Sequence, residues 1–141
     1  MAKLHTTPAP IPEGYSKPMF GFPAMTCCGD TPQPNDYTES WEEFYKEHRL
    51  MFILKFGEKN QGSDKELRNL VTQTCEKVVP RLIGDKHLNG GKSVTPVVCH
   101  GDLWSGNASR GCIGSEGGDV EDLVYDPSAV YGHSEYDLGK L

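Results

Sequence analysis

The sequence has no long apolar run, no basic cluster and no C-x-x-C pair. A membrane-spanning helix needs about 20 consecutive apolar residues, and no segment approaches that. Residues 1–12 lack the apolar stretch of a secretory signal. Fourteen Lys and Arg stand against twenty Asp and Glu, a net charge of -6. The basic face of a duplex nucleic-acid binder is therefore missing, and an anionic lipid surface is disfavoured for the same reason. Neither nucleic acid nor membrane is expected as a partner. Five cysteines leave one over after pairing, and Cys27 and Cys28 are adjacent. That pattern suggests neither a disulfide framework nor a zinc site, and it fits reduced thiols in a cytoplasmic setting. Asn107-Ala108-Ser109 matches a glycosylation sequon, an accidental match if no secretory signal exists.

Hydrophobic residues make up 36% of the chain, and sixteen Gly and ten Pro point to much loop. At 141 residues the chain suits one domain or part of one, with a modest core. Residues 1–39 hold seven of the prolines, which remove backbone donors and break helices. This part should be irregular. Residues 40–80 should be helical. A first helix starts at Ser40, which forms a capping-box pattern with Glu43. Trp41, Phe44, Tyr45, His48, Met51 and Phe52 follow at helical spacing, and the helix should end near Phe56-Gly57. A second starts at Ser63 or Asp64, with Ser63 and Glu66 repeating the capping-box pattern. Its apolar stripe is Leu67, Leu70, Val71, Cys75 and Val78, and Pro80 should end or kink it. Both stripes read as faces packed into a core.

Residues 84–95 read as loop. Gly91-Lys92-Ser93 lacks the earlier glycine of a phosphate-binding loop, because Lys86 stands there, and it precedes a strand rather than opening a helix. Pro96 to Cys99 is a short strand. A second runs from Ala108 toward Ile113, residues 114–119 form a Gly/acidic turn, and Leu123-Val124-Tyr125 is a third. A helix is expected to begin near Glu135.

The chemistry is concentrated in residues 96–137. A kinase must accept a proton from the attacking hydroxyl and neutralise charge on the transferring phosphoryl oxygens. The recurring solution is an Asp for the proton, and an Asn and a second Asp for the metal. His100, Asp102, Leu103 and Asn107 match the register of the H-R-D-L-x-x-x-N catalytic loop, with Gly101 standing where that loop has Arg. Asp126 follows the third strand, nineteen residues after Asn107. An all-oxygen set suits Mg²⁺. The competing reading is a polar turn in which Asp102 and Asn107 make only local hydrogen bonds. His100 reads as a support rather than a base, since Asp102 already fills that role.

The run from His100 to Asn107, His-Gly-Asp-Leu-Trp-Ser-Gly-Asn, with Tyr125-Asp126-Pro127-Ser128-Ala129 and the stretch from Tyr131 to Leu138, resembles the fructosamine/ribulosamine 3-kinase family, most of all its fungal members. Phe20-Gly21-Phe22-Pro23, the stretch from Thr26 to Asn35, and Trp41 to Tyr45 with Arg49-Leu50 resemble it too. The resemblance implies an α+β fold, part of the C-terminal lobe of a protein-kinase-like, aminoglycoside-phosphotransferase-like architecture. It implies Asp102 as catalytic base, Asn107 and Asp126 as Mg²⁺ ligands, and Trp104 beside the substrate. It further implies ATP and Mg²⁺ as cofactors, ketoamines on proteins or free amines as substrates, and phosphorylation of the sugar 3-hydroxyl as the reaction. Gln33 and Asn35 read as turn formers, His133 and Glu135 as braces for the loop after Asp126, and Cys27-Cys28 as structural.

Residues 1–5 resemble the end of the helix that follows the interlobe hinge in that family. No glycine-rich loop and no helix-paired Lys precede them, so the nucleotide-binding lobe is expected to be absent, and folding is expected to draw on the missing lobe or another chain. On this expectation the alternatives are a non-catalytic remnant or binding module, and a related aminoglycoside- or choline-type kinase.

Overall fold

A computed structural model describes residues 2–92, 94–114 and 118–140. The sequence alternates helices with three short antiparallel ladders. Helix α1 (Ala2–Thr6) is followed by the hairpin β1 (Thr26–Cys28) and β2 (Thr31–Gln33). Two long helices come next, α2 over residues 41–61 and α3 over residues 65–82. Strand β3 (Val97–Cys99) pairs with β6 (Val130–Gly132), and between them lies the hairpin β4 (Ala108–Gly111) and β5 (Glu121–Val124).

Residues 1–39 are more ordered than their proline content suggests. Their backbone groups find partners at a distance. The Ala9 amide donates to the Pro96 carbonyl at 2.8 Å, Phe20 and Thr38 exchange two hydrogen bonds, and Gly21 exchanges two with Tyr131. Bridges at Pro8–Val97 and Gly21–Tyr131 thereby extend the β3–β6 ladder on both sides. Long-range pairing of this kind satisfies the backbone without any local periodicity.

Helix α2 runs longer than expected, passing through Gly57 and stopping at Gly62, whose φ of 93° is open to glycine. Of the two starts expected for α3, the structure takes Asp64 as the N-cap and not Ser63. The Asp64 carboxylate accepts the Glu66 and Leu67 amides at 2.9 and 3.0 Å, whereas Ser63 Oγ turns back to Glu58 at 3.5 Å. A π-helical turn occupies residues Lys46–Met51 of α2, and another occupies Thr74–Val78 of α3. The second ends two residues before Pro80, which has no N–H to give, and the helix closes at Leu82. Ser40 caps α2 as expected, its Oγ accepting the Glu43 amide at 3.3 Å.

The core is built by Phe20, Trp41, Phe44, Val97, Cys99 and Val130. Trp41 stacks on Phe44 with centroids 5.5 Å apart, and it meets Tyr136 edge-on at 5.5 Å. A Cβ on Gly132 would stand 3.1 Å from the Trp41 ring, so the β6 backbone lies flush against the indole. The α3 stripe departs from the buried face expected of it. Cys75 is buried, but Leu67, Leu70 and Val78 are 49, 55 and 43% exposed. No element among the described residues covers them. Residues 134–140 form a 3₁₀ segment rather than an α-helix, and β6 is a strand that the sequence did not suggest, being only three residues long.

Candidate active site

His100 leaves β3 and opens a loop that doubles back through Gly101 at φ +81°. A Cβ there would come within 2.0 Å of the Ser128 carbonyl oxygen. Only glycine permits this approach, which presses the loop against the segment after β5. Ser128 in turn donates its hydroxyl to the Cys27 carbonyl, so hairpin β1–β2, the loop and residue 128 form one stack.

His100 is 5% exposed, and both ring nitrogens are engaged. Nε2 meets the Tyr125 carbonyl at 2.9 Å, and Nδ1 accepts the Asp102 amide at 3.3 Å. Those partners require a neutral ring with the proton on Nε2. His100 thus pins the residue before Asp126 to the start of the loop, which is a supporting role. The backbone of the same loop is held by Asp137. Its carboxylate accepts the His100 and Gly101 amides at 2.8 Å each and meets His5 Nε2 at 2.8 Å.

Asn107 is 6% exposed. Its Nδ2 faces three oxygens: the Asp102 carbonyl at 2.9 Å, the Asp102 carboxylate at 3.1 Å and the Asp126 carbonyl at 3.4 Å. All three are acceptors, which fixes the amide orientation and directs Oδ1 away from them. Asp102, Asn107 and Asp126 are therefore neighbours, joined through the Asn107 side chain. Asp102 is half-buried and Asp126 exposed. The Asp126 backbone is left-handed, with φ 56°, immediately before Pro127. A non-glycine residue in that conformation is uncommon and clusters at functional sites.

Trp104 is 47% exposed. Its ring covers Gly106 so closely that a Cβ on Gly106 would lie 2.3 Å from it. Among the described residues no three His, Cys, Asp or Glu side chains are grouped to hold a metal. The donor set of Asn107 and Asp126 nevertheless fits Mg²⁺, which takes one or two protein oxygens and leaves its remaining positions to phosphates and water.

Asn35 behaves as a turn former, donating to the Ala24 carbonyl at 2.9 Å and Thr26 Oγ1 at 3.0 Å. It also accepts from the buried Arg49 at 2.8 Å. Gln33 is buried on the wall between α2 and α3, away from this loop, and its Oε1 has no partner among the described residues. His133 braces the closing segment, its Nδ1 accepting the Glu135 amide at 3.2 Å. Burial, and secondarily the nearby Asp137, push the Cys99 thiol up to about 12. His5, Ser128 and Asp137 support the site; each lies in a stretch that resembles the family, but local spacing assigns none of them this role.

The loop brings Asp102, Asn107 and Asp126 together, and comparison with known proteins identifies the family of the chain. The fructosamine kinase family model matches residues 1–141, and the chain belongs to that family. Ketosamine-3-kinase of Mus musculus is 37% identical over 119 residues, covering 84% of this chain and 34% of that protein. The chloroplastic protein-ribulosamine 3-kinase of Oryza sativa is 35% identical over 120 residues, covering 85% of this chain and 31% of its own length. A solved structure of a candidate fructosamine-3-kinase from Thermobifida fusca superposes with a TM-score of 0.58 at 31% identity, over 85% of this chain and 36% of that one. The chain thus spans about a third of the length of the relatives it matches. Its α+β fold corresponds to part of these kinase-like structures.

Proposed function

We propose that this chain carries the catalytic and metal-binding loops of an ATP-dependent kinase that phosphorylates the 3-hydroxyl of ketoamines, either ribulosamine or fructosamine adducts on proteins or free amines. The observation that carries the reading is the Asn107 amide, held between the Asp102 carboxylate and the Asp126 backbone. Asp102 accepts the hydroxyl proton as the sugar oxygen bonds to the γ-phosphorus and the bond to ADP breaks. Asn107 and Asp126 hold Mg²⁺, which supplies charge neutralisation at the phosphoryl oxygens. Half-exposed Trp104 presents its ring to the sugar. His100 keeps the two loops in register and takes no proton from substrate.

The nucleotide-binding lobe belongs to the rest of such an enzyme, so activity is proposed for the polypeptide that combines this chain with that lobe, in one chain or two. A phosphorylation assay with a ribulosamine, ATP and Mg²⁺ tests it. Asp102→Ala should lower turnover at least about 100-fold; full retention of activity would refute the base assignment.

A second reading is a non-catalytic remnant. The open α3 face, with Leu67 and Leu70 half-exposed, favours it, since an apolar stripe without cover is usual for a piece of a larger lobe. The phosphorylation assay on the polypeptide that includes the nucleotide-binding lobe separates the two: turnover that Asp102→Ala removes counts against the remnant, and no turnover counts for it.

A further inference from the structure

Tyr125 is the residue next to Asp126, and it touches the site three times. Its amide donates to the Asn107 carbonyl at 3.1 Å, its carbonyl accepts from His100 Nε2 at 2.9 Å, and its phenol donates to the Gly106 carbonyl at 2.9 Å. The first two bonds belong to the backbone and any residue could make them. The third is made by the side chain alone.

That third bond falls at a sensitive place. Residues Ser105–Asn107 form a single 3₁₀ turn, closed by the Asn107 amide on the Trp104 carbonyl at 2.9 Å. One short turn carries Asn107, and a single hydrogen bond closes it. The Trp104 ring lies over Gly106, while the Tyr125 hydroxyl takes the Gly106 carbonyl. The Gly106 peptide is therefore held by two aromatic side chains, one through contact and one through a hydrogen bond. Glycine at this position has no side chain to restrain its own backbone, so the restraint has to come from outside.

We propose that Tyr125 is a positioning residue whose hydroxyl clamps the Gly106 peptide and so fixes the Asn107 amide toward the ion shared with Asp126. The proposal rests on the reading of Asn107 and Asp126 as metal ligands. The clamp crosses between the two loops that supply those ligands: the phenol springs from the strand end beside Asp126 and grips the turn that carries Asn107. Loss of the hydroxyl leaves the ligands in place chemically while allowing the turn to rotate. The effect belongs in metal affinity and local exchange, with global stability little changed, since Tyr125 is 47% exposed and outside the core.

The test uses the 141-residue chain as it stands, with Mn²⁺ as the paramagnetic probe. Affinity is read by electron paramagnetic resonance, and exchange of the Asn107 amide proton by NMR. Tyr125→Phe removes one oxygen from a half-exposed ring, so the fold is retained. A single hydrogen bond of about 1 kcal/mol corresponds to roughly a fivefold change. Tyr125→Phe should weaken Mn²⁺ binding about five- to tenfold and accelerate Asn107 exchange by a similar factor, and Asp126→Asn should abolish Mn²⁺ binding, leaving the free-ion signal at full intensity. Equal exchange in wild type and Tyr125→Phe overturns the clamp, whatever the metal does. Faster exchange with unchanged Mn²⁺ affinity overturns its positioning role. If wild type leaves the free Mn²⁺ signal undiminished, or Asp126→Asn binds as well as wild type, the metal-ligand reading fails instead, and the positioning role with it.

Discussion

His5 and Asp137 lie 132 positions apart in the chain and 2.8 Å apart in space. The carboxylate they share is fully buried and also receives the amides of His100 and Gly101. The first helix and the last segment thus meet at the base of the loop that His100 opens. Removing one partner of a buried charged set costs about 3–5 kcal/mol. Asp137→Asn would turn an N–H toward at least one donor, and it should lower unfolding free energy by about 3 kcal/mol or more in a urea titration. An unchanged midpoint would show that the carboxylate does not hold the loop.

Gly101 gives a sharper steric test. Gly101→Ala combines a left-handed backbone, costing about 1–3 kcal/mol, with a Cβ driven into the Ser128 carbonyl, and overpacking adds about 1–3 kcal/mol. Destabilisation of roughly 2–6 kcal/mol is expected. Thermal unfolding of the variant measures it, and a shift smaller than that of an ordinary surface change would contradict the packing.

Cys99 sets an alkaline limit. Its thiol is raised from 9.0 to about 12, by burial first and by Asp137 second. Tyr45 is raised too, by burial first and then by Tyr136, against the lowering effect of Arg49. A raised acid pKa means the folded state binds more protons than the unfolded one between the two values. Stability contributed by Cys99 is therefore complete below pH 9 and falls as pH rises toward 12. Urea unfolding at stepped pH should show that decline, and Cys99→Ala should make it shallower. At pH 8 a thiol reagent should modify exposed Cys27 and Cys112 and reach Cys99 only after unfolding.

The two faces of the helical pair should respond oppositely to substitution. Leu54 on α2 is 4% exposed and Leu70 on α3 is 55% exposed. Leu54→Ala should cost about 2–5 kcal/mol. Leu70→Glu should stay within about 0.5 kcal/mol while lowering binding of a hydrophobic dye. A large loss from Leu70→Glu would mean that the face is covered in solution.

The loop from His100 to Asn107 and its hairpin were legible because their signals are local. His100, Asp102 and Asn107 lie within eight residues, and β4–β5 follows at once, pairing Ala108 with Val124. The positions of both long helices were legible from their apolar spacing, and Ser40 from its capping pattern. Other features were hidden for identifiable reasons. Strands β1, β2 and β6 have three residues each, too few to display alternation. Asp137, His5 and Arg49 act on partners far away in sequence, and no single-chain spacing reveals them. Gly57 resembled a helix stop, yet the helix tolerates it until Gly62 supplies the left-handed turn. The π-helical turns leave no signature in a pattern read at 3.6 residues per turn.

Ser128 reaches the first hairpin through a main-chain oxygen of Cys27 and leaves the sulfur alone. The junction is thereby insulated from side-chain identity at position 27. Alkylating that thiol, or exchanging it for serine or valine, leaves the latch with the same atom to grasp, so the linkage between the N-terminal hairpin and the reacting loop is resistant to both oxidative injury and sequence drift at this position.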